Sequence, residues 1–410
     1  MSASAKLQTL ASFVSISISA ILLIFNIRRI VFTIAVLVAG NKKESIPAGQ
    51  EHLPDVLILV PCRDEARMIP GLCRTISQLD YPGTKYQVIL IDDGSTDGTG
   101  KVMQQQVKDK PGWHTLVLPR NVGKALALNH ALAKHSFGEI VYIFDADHRP
   151  HPEAIKRAVR YFDESKVAAV TGFTKVLNPT ASPSSYYAAI ESYTNQLVTT
   201  RAKDHLDLAP ALLGSNCGYR RKTLLQCGGF RKDAFSEDSD LTVAFYNAGY
   251  RIRFAEDAIS YQQVPESIRG YLKQHVRWGR GLNDVAREHS LGILQNQKLA
   301  LPLRFELLLF TAGYLDRIAL MGAGALAALS FVRPDQFPFN YRVILFSLLT
   351  PLAQIIALFT KERMPGAIWI RLPLIPVFFV LDIMAAGRAM LDTVFSRSRL
   401  WTKTERVTIH

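Results

Sequence analysis

Long runs of apolar residues stand at both ends of the chain, and a mixed apolar and polar pattern separates them. The runs that carry few charges or none cover residues 7–27, 30–41, 318–332, 343–360 and 372–395. Only the last of these contains charges, namely Asp382, Arg388 and Asp392. Because a membrane-spanning helix needs about 20 mainly apolar residues, the pattern predicts one long N-terminal span and about three C-terminal spans around a soluble middle.

The charges beside the first run indicate whether it is cleaved as a signal peptide and how it is oriented in a membrane. Lys6 alone precedes the run, and the run is longer than the apolar core of a usual signal peptide. We therefore expect a retained anchor and not a cleaved leader. Positive charges follow the run at Arg28, Arg29, Lys42 and Lys43, so the positive-inside rule places the middle of the chain in the cytosol.

The middle of the chain, residues 54–265, alternates short apolar runs with stretches of helical length. Four runs rich in Val, Ile and Leu are candidate buried strands, DVLILV (55–60), QVILI (87–91), TLVL (115–118) and EIVYIF (139–144). Segments 65–79 and 123–135 have the length and amphipathic spacing of helices. This alternation predicts an α/β domain built on a parallel sheet.

Polar residues follow each of the four candidate strands at once. They form the segments Pro61–Glu65, Asp92–Gly98, Asn121–Lys124 and Asp145–Asp147. In open α/β sheets, ligands bind beyond the carboxyl ends of the strands. The sequence thus concentrates carboxylates and one lysine along a single edge, where we expect a ligand site.

Each of these segments has a structural interpretation beside the functional one. Asp145-Ala-Asp147 is typical of a solvated turn, but its place directly after a buried strand favours a site for Mg²⁺ or Mn²⁺ with a diphosphate. The DDGSTDG segment has the composition of a turn, and the carboxylates of Asp92 and Asp93 could also bind a nucleoside. Lys124, at a predicted helix start, is either a surface lysine or a phosphate ligand.

Two further segments have the same double interpretation. In FSEDSDL, at 235–241, Glu237 and Asp238 either stabilise a helix N-terminus or include a proton acceptor near the metal. In YLKQHVRWGRG, at 271–281, Gln274, Arg277 and Trp278 share one sector of a predicted helix. That helix either lies on an anionic membrane surface, with Trp278 as anchor, or also faces the carboxylate edge.

The composition of the chain indicates which kinds of ligand it is expected to bind. The chain has 48 Lys and Arg residues against 35 Asp and Glu, and its net charge is +13. No recognition motif or aromatic-interleaved basic array accompanies this charge, so nucleic acid is not an expected partner, and an anionic membrane or substrate explains it. The cysteines are Cys62, Cys73, Cys217 and Cys227; without C-x-x-C spacing they predict free thiols and no zinc site.

In their order, the motifs resemble those of membrane-embedded, inverting glycosyltransferases of family two. These are the processive polysaccharide synthases, which include cellulose, chitin, hyaluronan and poly-N-acetylglucosamine synthases. The matching segments are VPCRDE (60–65), IDDGSTDGT (91–99), NVGKALALNHAL (121–132), FDADHRP (144–150), GSNCGYRRKTLLQCGGF (214–230), SEDSDLTVAFYNAGYRI (236–252), QHVRW (274–278) and WTKTER (401–406). The resemblance covers about residues 54–280 and implies a GT-A fold, Rossmann-like, flanked by transmembrane helices.

The resemblance also implies roles for single residues. Those assigned to the nucleotide-sugar are Pro61, Glu65, Asp92, Asp93, Lys124, Asp145, Gln274 and Arg277. Asp145 and Asp147 would bind Mg²⁺ or Mn²⁺, with Asp147 the more direct ligand. Asp238 would be the general base, supported by Glu237, and Trp278 would stack under the acceptor sugar.

Three positions depart from the pattern of that family. The first motif reads C-R-D-E where an aromatic or small residue followed by Asn-Glu is common, so Arg63 departs from the family's usual nucleotide-binding pattern. Ser236 precedes the Glu-Asp pair where several polymerases have Thr. The QxxRW motif carries His275 and Val276 in its middle instead of a second Arg. None of these departures removes an implied catalytic group.

The implied layout has five parts. They are a transmembrane anchor at 1–45, a cytosolic GT-A domain at 46–265, amphipathic interface helices with the QxxRW motif at 266–300, a transmembrane region at 301–395 and a cytosolic tail at 396–410. Three C-terminal spans would put the basic tail outside, against the positive-inside rule, whereas two spans and one interfacial segment keep it cytosolic. The charged segment 301–317 is a candidate interfacial or channel-lining segment. Asp382 and Arg388 are expected to face a polysaccharide path, because charges are costly in lipid.

The implied function is an inverting, processive β-glycosyltransferase of the plasma (inner) membrane. It would polymerise UDP-GlcNAc or UDP-glucose into an extracellular polysaccharide and pass the product across the membrane. The alternative is a single-transfer enzyme that glycosylates a membrane lipid. The expected partners are the UDP-sugar, the growing glycan, the lipid bilayer, and either an accessory subunit or a second copy of the chain.

Overall fold

The structure, a computed structural model, describes residues 3–39, 53–362 and 371–395. The predicted tail at 396–410, with its WTKTER motif, and the flanking lysines Lys42 and Lys43 lie outside the described residues. The helices are α1 Ala3–Val38, α2 Ile69–Ile76, α3 Thr99–Val107, α4 Lys124–Lys134, α5 Ala154–Val159, α6 Pro183–Tyr193, α7 Arg201–His205, α8 Arg221–Gln226, α9 Glu237–Asn247, α10 Ile268–Gln295, α11 Leu301–Thr311, α12 Leu315–Val332, α13 Tyr341–Glu362 and α14 Ile375–Val394. A π-helical segment, Thr194–Thr200, joins α6 to α7.

The middle of the chain forms one eight-stranded sheet of order β3-β2-β1-β4-β7-β6-β8-β5. Its strands are β1 Val56–Cys62, β2 Tyr86–Asp93, β3 Trp113–Leu118, β4 Ile140–Ile143, β5 Arg149–Pro150, β6 Val167–Val176, β7 Cys217–Arg220 and β8 Arg251–Gln262. The four strands predicted from the sequence are β1 to β4, and they pair in parallel as expected. The α/β class with flanking apolar helices is thus confirmed.

The expectation of a purely parallel sheet is wrong at β7. This strand runs antiparallel to β4 on one side and to β6 on the other. It has only four residues, CGYR, and Gly218 lies against the ring of Tyr142. A strand this short, with a glycine and an arginine in it, has no apolar run from which its pairing could be predicted.

The central strands are buried on both faces of the sheet. In β1, Leu57 and Leu59 join the cluster that contains α4 and α9, whereas Ile58 and Val60 join the cluster that contains α2 and α5. Successive side chains of a strand point to opposite faces, so burial on both faces requires a continuous apolar run. This is why β1 and β2 were recognisable in the sequence. Because the two strands run parallel, the loops that follow them lie at the same edge of the sheet.

Within the described residues, four helices are long and apolar enough to cross a membrane. They cover Ser4–Val38, Leu315–Val332, Tyr341–Glu362 and Leu372–Val394. The first is α1, a single helix of 36 residues, which Arg28 and Arg29 do not interrupt. At 1.5 Å per residue, such a helix is longer than the roughly 30 Å hydrocarbon core of a bilayer.

The charged segment 301–317 holds α1 through buried ion pairs. Arg28 donates two hydrogen bonds of 2.7 Å to Glu306, and Arg29 pairs with Asp316. Lys203 contacts the same Glu306 at 2.8 Å. Arg28 and Arg29 therefore bind specific carboxylates of the protein, in addition to the flanking role that the sequence suggested.

The structure corrects the expectation for Asp382. Its side chain is 1% exposed and accepts a 2.7 Å hydrogen bond from Arg317, so it lies inside the helical bundle and does not line an open path. Arg388 pairs with Asp392 one turn later at 3.0 Å. In a bilayer, ion pairs of this kind would reduce the cost of the charges.

Candidate active site

Three segments distant in the sequence meet at Lys124, the first residue of α4. Its ammonium nitrogen lies 2.9 Å from Asp145 Oδ1 and 2.9 Å from Glu237 Oε1, and it donates a 2.8 Å hydrogen bond to the carbonyl oxygen of Gly214. Burial by itself lowers the pKa of Lys124, but the two carboxylates more than offset this and raise it above its ordinary value. Lys124 is therefore a fixed positive charge between the strand-end carboxylate and the Glu-Asp pair.

Asp93 sets the position of Lys124. Its two carboxylate oxygens accept hydrogen bonds from the backbone N–H groups of Val122, at 2.7 Å, and Gly123, at 2.9 Å. Gly123 has a φ of 90°, a conformation that glycine adopts without strain. Asp93, which the resemblance assigns to the nucleotide, thus also holds the loop that presents Lys124.

Asp145, Asp147 and His148 form a compact group after β4. One ligand atom from each lies within 4.8 Å of the others, and the N–H of Asp145 donates a 2.8 Å hydrogen bond to Ser215. Burial lowers the pKa of His148 to about 4, so this imidazole is neutral at physiological pH. Carboxylate oxygens are the donors that Mg²⁺ and Mn²⁺ prefer, so the residues present fit a hard divalent cation.

His148 is held in place by the far end of β8. Its Nδ1 lies 3.0 Å from Ser260 Oγ and its Nε2 lies 3.1 Å from Gln262 Oε1. Both ring nitrogens are thus used inside the protein, so the two carboxylates of the group are its candidate ligands.

Glu237 and Asp238 begin helix α9, beside Lys124. Asp238 Oδ1 accepts hydrogen bonds from Ser236 Oγ at 2.6 Å and from the N–H of Ser239 at 2.7 Å. Its other oxygen faces Gly214, where an added Cβ would lie 2.8 Å from Asp238 Oδ2. Burial and the neighbouring charge of Glu237 raise the pKa of Asp238. Such a carboxylate accepts a proton more readily than an ordinary aspartate.

The residues predicted to line the nucleotide pocket lie at the ends of β1 and β2. Pro61 is the penultimate residue of β1 and pairs with Ile91 of β2. Asp92 is buried and accepts a 2.9 Å hydrogen bond from the N–H of Ser95. The N–H of Glu65 donates to Thr99 Oγ1 at 2.8 Å. These contacts tie the loop after β1 to the loop after β2 along the expected edge.

Helix α10 brings the QxxRW motif towards the Glu-Asp pair. A Cβ added to Gly281 would lie 2.8 Å from the Cβ of Ser236, which directly precedes Glu237. Arg277 and Trp278 lie four and three positions before Gly281, and residues so spaced share one helix face. Gln274 lies on the same face one turn farther away. Trp278 is 42% exposed, so its ring is accessible.

No pattern in the sequence indicates a role for four residues of the site, namely Gly214, Ser215, Ser236 and His148. The first two lie in the matching segment GSNCGYRR, and the others lie beside residues that were named. A backbone carbonyl that binds Lys124, or a hydroxyl that binds a carboxylate, has no signature in residue type. Only the folded chain identifies these contacts.

The chain is similar in sequence to known glycosyltransferases. A profile described as glycosyltransferase like family 2 matches residues 54–281. The probable glycosyltransferase YdaM of Bacillus subtilis is 30% identical over 247 residues, which are 58% of this chain and 58% of that protein. The poly-beta-1,6-N-acetyl-D-glucosamine synthase of Staphylococcus aureus is 26% identical over 274 residues, 66% of this chain and 64% of that protein. Each alignment thus spans less than two thirds of the relative.

A solved structure extends the similarity of fold beyond the matched segment. The mannosyltransferase PcManGT from Pyrobaculum calidifontis, in complex with GDP-Man and Mn²⁺, superposes with a TM-score of 0.64 at 21% identity. The superposition covers 96% of this chain and all of that one. At this identity the likeness establishes a shared fold. Because the family profile matches more than half of the chain, including Asp145, Asp147, Glu237 and Asp238 of the site, this chain belongs to the glycosyltransferase like family 2.

Proposed function

We propose that the chain is an inverting, processive β-glycosyltransferase that polymerises a UDP-activated sugar. The observation that carries the proposal is the position of Lys124 between Asp145 and Glu237, 2.9 Å from each. A donor diphosphate beside Asp145 would then lie next to the Glu-Asp pair that receives the acceptor. Proximity of this kind is a large part of catalysis by positioned groups.

UDP-GlcNAc is the donor that we place first, and UDP-glucose is the second. The name of the Staphylococcus aureus relative, a poly-beta-1,6-N-acetyl-D-glucosamine synthase, favours the N-acetylated sugar. Pro61, Glu65 and Asp92 would bind the nucleoside from the ends of β1 and β2. Lys124 and Arg277 would meet the diphosphate, with Gln274 beside Arg277.

The cation that we propose is Mg²⁺ or Mn²⁺, held by Asp147 and Asp145. The proximity of the two carboxylates supports this site, and Mn²⁺ is present in the complex of the structurally similar mannosyltransferase. A bound divalent cation would stabilise negative charge on the diphosphate. The protein supplies two further positive charges, those of Lys124 and Arg277. Lys124 is held in place by its carboxylate partners, and Arg277 lies on the helix face that contacts Ser236.

The chemistry follows from where the proton and the electron pair go. Asp238 takes the proton of the acceptor hydroxyl as its oxygen bonds to the anomeric carbon, and UDP leaves with the electron pair of the broken C–O bond. Direct displacement inverts the α linkage of the donor to β. The raised pKa of Asp238 suits this task, and Glu237 supports it by fixing Lys124.

The acceptor end of the glycan would rest on Trp278. An aromatic face binds the apolar C–H surface of a sugar without fixing its hydroxyls, so a chain can slide past it. The four apolar helices support a membrane location, which we propose to be the plasma (inner) membrane with the catalytic domain in the cytoplasm. The product would pass between these helices, alone or with an accessory subunit or a second copy of the chain.

The test is product size from purified protein in lipid nanodiscs. Labelled UDP-GlcNAc, UDP-glucose and GDP-mannose are supplied separately, with Asp238→Asn as the inactive control. We expect a β-linked polymer from one UDP-sugar. A product of one added sugar on a lipid would contradict processivity and establish the single-transfer alternative. Turnover of GDP-mannose alone would contradict the proposal that the donor is a UDP-sugar. Trp278→Ala should shorten the polymer while donor binding is kept.

A further inference from the structure

His275 lies inside the QxxRW motif, on the side of helix α10 that is opposite Arg277 and next to Trp278. It is 1% exposed. Its Nδ1 lies 3.0 Å from the carbonyl oxygen of Tyr271, and its Nε2 lies 2.8 Å from Glu191 Oε2. Glu191 belongs to α6 and lies 84 positions before His275 in the sequence, so this contact joins helix α10 to helix α6.

The two partners determine the protonation of the ring. A backbone carbonyl only accepts hydrogen bonds, and an ionised carboxylate also only accepts. Both contacts are therefore hydrogen bonds only when both ring nitrogens carry a hydrogen, as in an imidazolium paired with the Glu191 carboxylate. Burial by itself lowers the pKa of His275, but the Glu191 carboxylate outweighs burial and raises it above the ordinary value.

The surrounding charges agree with a cation at this position. Ligand atoms of Glu191, His275 and Asp382 lie within 4.8 Å of one another. Asp382 binds Arg317 at 2.7 Å, and Arg317 also binds Asp316 at 3.2 Å. Asp316 in turn pairs with Arg29. This connected network has three carboxylates and two guanidinium groups, and a protonated His275 adds a third positive charge to it.

The ionisable groups around His275 come from several helices. Tyr271 on α10, Glu191 on α6 and Asp382 on α14 interact with the ring itself. Arg317 on α12 interacts with Glu191 and Asp382, and Tyr187 and Tyr314 lie near Tyr271. The tyrosines are neutral in the physiological range. The proton on His275 therefore responds mainly to the two carboxylates and the arginine.

We propose that His275 is a positioning residue whose imidazolium ties helix α10 to α6 and α14 and thereby fixes Trp278 for the acceptor sugar. The ring of His275 lies 4.9 Å from the ring of Trp278, one helical turn away. Loss of the proton removes one of the two hydrogen bonds and leaves the Glu191 and Asp382 charges less compensated. The inference rests on the proposed acceptor role of Trp278.

The protonation itself is tested without any enzymatic assay. ¹⁵N-histidine NMR of the wild-type protein in nanodiscs reads both ring nitrogens, and Glu191→Gln identifies the resonance that depends on Glu191. Of the ten histidines in the chain, we expect one to keep both ring protons above neutral pH in the wild type. In Glu191→Gln the same histidine should lose one of these protons at a lower pH than in the wild type. A neutral ring at position 275, or a stoichiometric transition metal retained by the purified protein, would overturn the assignment.

The effect on the acceptor is tested by kinetics against pH, with His275→Gln and with the exposed His130→Gln as control. As pH rises through the pKa of His275, the acceptor KM of the wild type should rise, whereas the donor KM should stay constant. In His275→Gln the acceptor KM should be raised about tenfold at all pH values, with kcat changed by less than about threefold. Glu191→Gln should move the alkaline rise to lower pH.

Two outcomes contradict the positioning role. One is an alkaline rise in acceptor KM that persists unchanged in His275→Gln, and the other is an equal rise in the donor KM. If no glycosyl transfer is detected at all, the proposed function fails, but the NMR result on the protonated pair remains decisive for His275. The two failures are therefore distinguishable.

Discussion

Lys124 and Glu237 form a 2.9 Å ion pair between the first residue of α4 and the first residue of α9. The same ammonium group also contacts Asp145 at 2.9 Å. The side that would bind the diphosphate and the side that would bind the acceptor are thus joined by a single cation. Changes at this lysine should affect both.

Lys124→Met should lower kcat/KM about a hundred- to a thousandfold, the cost typical of removing one preorganised electrostatic group. The substitution keeps the length of the side chain but leaves Asp145 and Glu237 without their shared cation. Steady-state kinetics with varied UDP-sugar checks this. Lys134→Met, at the exposed C-terminal end of the same helix, is the matched control, and equal activity of the two variants would refute the role of Lys124.

Asp238→Asn should retain the binding of UDP and lose turnover by about a hundred- to ten-thousandfold, the range typical of a general base. The amide has nearly the shape of the carboxylate but cannot take the proton. UDP binding by calorimetry and transfer by labelled product measure the two effects separately. Asp233→Asn, at an exposed position just before α9, serves as control. Unchanged turnover of Asp238→Asn would exclude the residue as base.

The acidic limb of the pH profile should lie above the ordinary aspartate range. Burial and Glu237 raise the pKa of Asp238, and the base is active only when it is ionised. Activity is therefore present above that raised pKa and is lost as pH falls through it, before the pH reaches the ordinary value of about 3.9. The measurement is kcat against pH with saturating substrates. A limb at or below that ordinary value would contradict the assignment.

Chelation with EDTA should abolish transfer, and added Mn²⁺ or Mg²⁺ should restore it. Asp147→Asn should bind Mn²⁺ more weakly, because it replaces one of the two candidate carboxylate ligands with a neutral amide. Activity after rigorous chelation checks the first statement, and Mn²⁺ titration by electron paramagnetic resonance checks the second. Full activity of the chelated enzyme would rule out the metal site.

Glu306→Gln should destabilise the protein by about 3–5 kcal/mol, the cost of breaking a buried ion pair. Burial by itself raises the pKa of Glu306, but Lys203 and Arg28 more than offset it and lower it to about 2. The stabilisation is therefore present above the ordinary glutamate pKa of about 4.3, and is lost as pH falls towards the lowered value.

Thermal unfolding in detergent measures the change at Glu306. The exposed Glu288→Gln is the control, since its 3.9 Å contact with Arg231 is a surface ion pair that is worth about 0–1 kcal/mol. Equal melting temperatures of the two variants would mean that the contacts of Arg28 and Lys203 with Glu306 do not anchor α1.

The sequence by itself determined the features that depend on neighbouring residues. Strands β1 and β2 were recognisable because burial on both faces requires a continuous apolar run. The carboxylates and Lys124 could be placed at one edge, because the carboxyl ends of parallel strands share that edge. The apolar runs at both ends were long enough to indicate spanning helices.

The tertiary structure decided what depends on residues far apart in the chain. The antiparallel strand β7, the pairing of Arg28 with Glu306 and the task of Asp93 at the Lys124 loop have no local pattern. The same holds for His275, which is one residue from Gln274 in the sequence yet faces Glu191 on another helix. Local periodicity determines which face of an element is apolar, whereas hydrogen bonds and ion pairs between distant segments form only once the elements have packed.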